Sequence, residues 1–70
     1  MKRDMTKKEK VIYDCISVYR EEHGFSPSMR EIAEAVGLKS ASTVCRHIHS
    51  LEEKGWLKTN EGRSHAIVII

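Results

Sequence analysis

Cysteine is scarce. Only Cys15 and Cys45 occur in 70 residues, too few for the disulfide framework of a small secreted domain. Both fall inside helical patterns and read as reduced packing residues. Long apolar runs are missing too. The longest is Ala66-Ile67-Val68-Ile69-Ile70, far short of a membrane span. The opening Met1-Lys2-Arg3-Asp4 is not followed by the apolar stretch of a secretory signal. A cytoplasmic protein is expected. There are no repeats, no low-complexity segment and no internal linker. Charge of one sign is not in large excess either. Twelve Lys and Arg stand against ten Asp and Glu, a net +2. Charge alone therefore points only weakly towards a polyanion partner.

What is present is an ordinary soluble balance, 40% hydrophobic and 31% charged, with room for one domain and one small core. Three helices are legible, at about 6–23, 29–36 and 41–54. Thr6-Lys7-Lys8-Glu9 and Ser28-Met29-Arg30-Glu31 are capping boxes, and Ser40 is a good N-cap for the third helix. Gly24, Gly37 and Gly55 are free to take the left-handed conformation that ends a helix. The single proline, Pro27, disfavours helix at Ser26. Val11, Ile12, Cys15, Ile16 and Tyr19 form the expected apolar stripe of the first helix. Ile32, Ala33 and Val36 form that of the second, with Leu38 tucked back after its stop. Val44, Ile48 and Leu51 form that of the third. From Trp56 the period becomes strand-like. Trp56-Leu57-Lys58-Thr59, a turn over Asn60 to Ser64, and His65 to Ile70 predict a hairpin at about 56–70. Two strands alone are marginal, so Trp56 and Ile67 are expected to dock it on the helices.

A short helix, a glycine turn and a longer helix make a helix-turn-helix, and the hairpin after it makes the winged variant. The predicted fold is mainly α with a small β-hairpin, one domain over 1–70. The outward face of the third helix then carries the functional argument. Opposite its apolar stripe lie Ser42, Thr43, Arg46, His49, Ser50 and Glu53, with no acid before Glu52. Solvated faces usually carry more Glu and Lys and fewer of the poorer helix formers Ser and Thr. Short hydroxyls and a guanidinium suit phosphates and base edges. The face predicts reading of double-stranded DNA, with Lys39 on a phosphate.

Phe25-Ser-Pro-Ser-Met-Arg-Glu-Ile-Ala-Glu-Ala-Val-Gly-Leu-Lys-Ser-Ala-Ser-Thr-Val44 and the later Leu51-Glu-Glu-Lys-Gly-Trp-Leu57 resemble the N-terminal DNA-binding domain of LexA repressors. Ala66-Ile67-Val68-Ile69 fits the closing strand of the same family. The similarity runs from Thr6 to Ile70 and is greatest to the form found in low-GC Gram-positive bacteria. The resemblance implies a repressor of the SOS, DNA-damage-response type. It places Ser40, Ser42, Thr43, Cys45 and Arg46 on the recognition helix near the operator, and Ser28 and Arg30 near phosphates. It sends the wing, Asn60 to His65 with Arg63, towards the DNA backbone or minor groove. Two features depart from the Gram-positive pattern: the pair Cys45-Arg46, and His65 where an arginine is common. The family also implies a C-terminal domain that dimerises and carries a self-cleaving Ser-Lys peptidase. There is no room for it in 70 residues, so an excised fragment or a short relative is expected, itself not an enzyme.

Three rival readings are weaker. Cys45, His47 and His49 form a Cys-x-His-x-His run, but only Cys45 and His49 share a helix face, and zinc wants three or four convergent ligands. No metal or other cofactor is expected. No nucleophile elbow or glycine-rich phosphate loop supports catalysis. A winged helix can also be a protein-binding module or a standalone phage- or plasmid-type regulator. A protein-binding face, however, should expose aromatic or aliphatic anchors.

Overall fold

In the computed structural model, which describes residues 3–59 and 67–70, three helices precede an antiparallel hairpin. Helix α1 spans Lys7–His23, α2 Met29–Val36 and α3 Ala41–Glu53, and strands β1 and β2 span Leu57–Thr59 and Ile67–Ile69. The fold is the winged helix-turn-helix that the sequence predicts.

Each helix starts where a hydroxyl can receive an orphan amide. Thr6 Oγ1 accepts from the Glu9 amide at 3.2 Å while Glu9 Oε1 accepts from the Thr6 amide at 2.8 Å. Ser28 and Glu31 repeat the exchange at 3.1 and 2.8 Å. Ser40 Oγ accepts from the Thr43 amide at 3.4 Å. At the end of α2, Gly37 takes φ +78°, and a Cβ there would meet nothing within 4 Å. The left-handed backbone, not lack of space, makes this position glycine's. The Leu38 amide then closes onto the Ala33 carbonyl at 2.8 Å, which holds Leu38 against the core. Helix α3 stops at Glu53, one residue before the expected end. Gly55 and Trp56 donate to the Glu52 and Leu51 carbonyls at 3.1 and 3.0 Å, which closes the last turn around Lys54.

The core gathers Ile12 and Ile16 of α1, Ile32 and Ala33 of α2, Val44, Ile48 and Leu51 of α3, and Leu57 and Ile67 of the hairpin. The stripe of α1 is narrower than its sequence suggests. Val11 is 53% exposed, because it stands about 100° round the helix from Ile12. Cys15 and Tyr19 are half-buried. A charged residue joins the buried face on the side away from Val11: Glu9, three residues before Ile12, is buried.

The hairpin pairs Leu57 with Ile69, Lys58 with Val68 and Thr59 with Ile67. Burying an aliphatic side chain contributes about 1.5–3 kcal/mol, so Leu57 and Ile67, with Ile69 and Trp56 packed beside them, help dock two strands that would be marginal alone. Trp56 adds an edge-on contact to Tyr13 of α1, ring centres 5.7 Å apart, and its indole Nε1 donates to the Arg3 carbonyl at 2.6 Å. Both strands are shorter than expected: Trp56 precedes β1 and Ile70 follows β2. The turn, with Arg63 and His65, lies outside the described residues.

Candidate nucleic-acid interface

Helix α3 buries Val44, Ile48 and Leu51 and turns the opposite stripe outward. Ser42, Arg46, His49 and Glu53 are exposed, as are Lys39 on the turn and Ser40 at the cap. At about 100° per residue these four form one line along the helix. Its two flanks are half-covered. Thr43 and Ser50 lie on one, Cys45 and Glu52 on the other. Ser50, expected on the outward face, donates its hydroxyl to Glu9 Oε2 of α1 instead. It is a scaffold residue, because a buried carboxylate needs donors and Ser50 is within reach.

Lys39, Ser40, Ser42, Thr43 and Arg46 thus come together over the turn and first two turns of α3. Cys45 sits beside them but partly covered, on the flank that Glu52 occupies seven residues later. Ser28 and Arg30 stand at the far end of α2, about 12 Å along its axis at 1.5 Å per residue. Arg30 is exposed; Ser28 is half-buried with its hydroxyl engaged as the cap. Arg63 lies outside the described residues.

The electrostatics separate α3 from the other helices. The first turns of α1 and α2 carry Glu9 and Glu31, whereas that of α3 carries no acid. The positive end of its helix dipole is not offset by its own side chains, and Lys39 adds a full charge beside it. Exposed amides, hydroxyls and cations in one place bind anions and hydrogen-bond base edges. Among the described residues no group of three or more His, Cys, Asp or Glu is placed to hold a metal ion.

Two acids, Glu9 and Glu52, tie α3 to the elements beside it. Burial by itself would raise the Glu9 carboxyl. The Lys54 ammonium at 2.5 Å, the Ser50 hydroxyl and the Thr6 amide outweigh it and hold the group at about 2, below the ordinary 4.5. Glu52 accepts from the Thr59 amide and hydroxyl, each at 3.1 Å. On its other side it lies 3.9 Å from His49 Nδ1. Glu9 is legible only as a capping residue and Glu52 only as the first acid of the face. Both act through partners that local spacing does not reveal.

The family described as LexA DNA binding domain matches residues 2–66. A LexA repressor of Staphylococcus haemolyticus is 47% identical over 68 residues, covering 97% of this chain and 33% of the relative. One of Caldicellulosiruptor saccharolyticus is 43% identical over 70 residues, 100% of this chain and 35% of the relative. One of Koribacter versatilis is 41% identical over 66 residues, 94% and 31% respectively. The chain spans about a third of the length of the curated relatives it matches. With a family match over nearly its full length and relatives above 40% identity, the chain belongs to the LexA DNA-binding domain family.

Proposed function

We propose that the chain is the DNA-reading part of a bacterial transcriptional repressor of the SOS type, with α3 in the major groove of a double-stranded operator. The observation that carries this is the exposed start of α3. Lys39, Ser40, Ser42 and Arg46 face solvent with no acid in the first turn. Arg46 is the base reader, Lys39 a phosphate contact, and Ser40, Ser42, Thr43 and Cys45 line the approach to the groove. Ser28 and Arg30 meet phosphate from the start of α2, and Arg63 does so from the wing. The chain acts by binding, not by catalysis.

A protein-docking role fits this face less well. The large apolar side chains most exposed among the described residues are Val11, Val18, Phe25, Val68 and Ile70, and none of them is on α3. We assign the pairing of subunits on a palindromic operator to regions outside the stretch shared with the relatives. The working compartment is the cytoplasm, where bacterial DNA lies. No helix among the described residues is long and apolar enough to cross a membrane.

The test is to enrich a duplex from a random-sequence pool with the chain, then titrate that duplex and a scrambled one at several salt concentrations. Tighter binding of the enriched duplex, with both affinities falling steeply with salt, supports the proposal. Equal affinity for both duplexes, or affinity indifferent to salt, contradicts it.

A further inference from the structure

Thr59 and Ile67 form the last described pair of the hairpin before residues 60–66. The Ile70 amide donates to the Trp56 carbonyl. Hydrogen-bonded and non-hydrogen-bonded pairs alternate along an antiparallel ladder. Counting from Trp56 and Ile70, the Thr59–Ile67 pair is of the second kind, with its backbone groups pointing out from both edges. In a two-stranded sheet such groups ordinarily go to water.

Here helix side chains take them. The Thr59 amide and hydroxyl both go to the Glu52 carboxylate of α3. The Ile67 amide donates to buried Ser26 Oγ at 3.2 Å, and its carbonyl accepts from Arg20 Nη1 at 2.7 Å. One cross-strand pair is thus gripped from three places: α3, α1 and the loop between α1 and α2. Ser26 and Arg20 fix the hairpin to the body of the domain. Glu52 alone of the three fixes it to the helix that carries Arg46, and Thr59 gives that carboxylate two donors at once. A carboxylate on a helix that approaches a polyanion opposes binding by its charge; this one is turned back towards the strand.

We infer that Glu52 is a positioning residue for DNA binding: through Thr59 it holds the hairpin at a fixed angle to α3, so that the two elements meet the duplex as one surface. The inference rests on the DNA-binding function proposed above. It makes a prediction of opposite sign to simple electrostatics. Removing an acid should strengthen every DNA complex; removing a positioning residue should weaken the one complex that needs the correct geometry.

The experiment titrates wild type, Glu52→Ala, Glu52→Gln and Thr59→Val with the enriched duplex and its scrambled counterpart, and records a thermal melt of each protein. Glu52→Ala is expected to bind the scrambled duplex at least as well as wild type. It should lose about two- to thirtyfold on the enriched duplex, the range for residues that act on a site through another group. Glu52→Gln keeps one acceptor for the Thr59 amide and should recover part of the loss. Thr59→Val, which loses only the hydroxyl, should move the same way by less, and it carries the test if Glu52→Ala does not fold. Affinity that rises equally on both duplexes, or Glu52→Gln no better than Glu52→Ala, overturns the inference. A wild-type chain that cannot tell the duplexes apart overturns the DNA-reading function as well. Wild-type discrimination that persists unchanged in Glu52→Ala and Thr59→Val overturns this inference alone.

Discussion

The Glu9 carboxylate accepts a hydrogen bond from the Lys54 ammonium at 2.5 Å, joining the first turn of α1 to the C-cap of α3. The same carboxylate closes the capping box of α1 and receives Ser50 from α3. One buried acid therefore sets both where α1 begins and how α3 lies against it. Paired and hydrogen-bonded, it escapes the penalty of an isolated buried charge.

The first prediction is a pH dependence of stability. Glu9 titrates at about 2 in the fold against an ordinary 4.5, so the folded state favours the ionised form. The stabilisation is complete above pH 4.5 and is lost as pH falls from there towards 2. In thermal melts, wild type should exceed Glu9→Gln most at neutral pH, with the gap closing through that window. Glu9→Ala, which leaves Lys54 and Ser50 without their acceptor, should destabilise by about 2–4 kcal/mol near neutrality. Melting temperatures of wild type and Glu9→Gln that run parallel from pH 7 to pH 2 would remove Glu9 from this role.

A second prediction concerns Gly37. Its φ of +78° is strained for any side chain, while a Cβ there meets no neighbour. Gly37→Ala should therefore cost about 1–2 kcal/mol through backbone strain alone. Gly37→Asn, which tolerates the left-handed region, should cost less. Denaturant unfolding distinguishes these, and an alanine variant as stable as wild type would contradict the geometry.

How much of this was legible in the sequence depended on the range of the interaction. The capping boxes Thr6–Glu9 and Ser28–Glu31 and the stops at Gly24, Gly37 and Gly55 are written in neighbouring residues, and the helices follow them closely. Beside Ile12 in the sequence, Val11 widens the apolar stripe, but the helix turns it to solvent. Local sequence explains Glu9 fully as a capping residue. Its partners Ser50 and Lys54 lie 41 and 45 residues away, and no periodicity announces them. The outward line of Ser42, Arg46 and His49 was readable from the apolar stripe opposite. The tie from Glu52 to Thr59 was not, because it depends on where the hairpin packs.

Oligomeric state gives a third prediction. The large exposed apolar residues are distributed over α1, the loop after it and the hairpin, and no heptad offers a coiled-coil seam. The isolated chain should sediment as a monomer at micromolar concentration. A tight dimer there would place a subunit interface within these 70 residues and contradict the assignment of pairing to other regions.

Lys39 and Arg46 should separate affinity from selectivity. Lys39 stands at the entrance to α3, where a phosphate contact is independent of sequence. Lys39→Ala should weaken binding to the enriched and scrambled duplexes alike and make both less sensitive to salt. Selectivity lost with Lys39 would mean that it reads a base.

The most direct test of the account is the ratio of affinities for the enriched and scrambled duplexes in wild type and Arg46→Ala. A well-placed arginine contact to a base contributes about 1–3 kcal/mol of discrimination. Arg46→Ala should therefore collapse the ratio by about five- to 150-fold, while binding to the scrambled duplex changes far less. An Arg46→Ala variant that weakens both complexes equally, leaving the ratio intact, would make Arg46 a backbone contact and contradict the claim that the exposed face of α3 reads sequence.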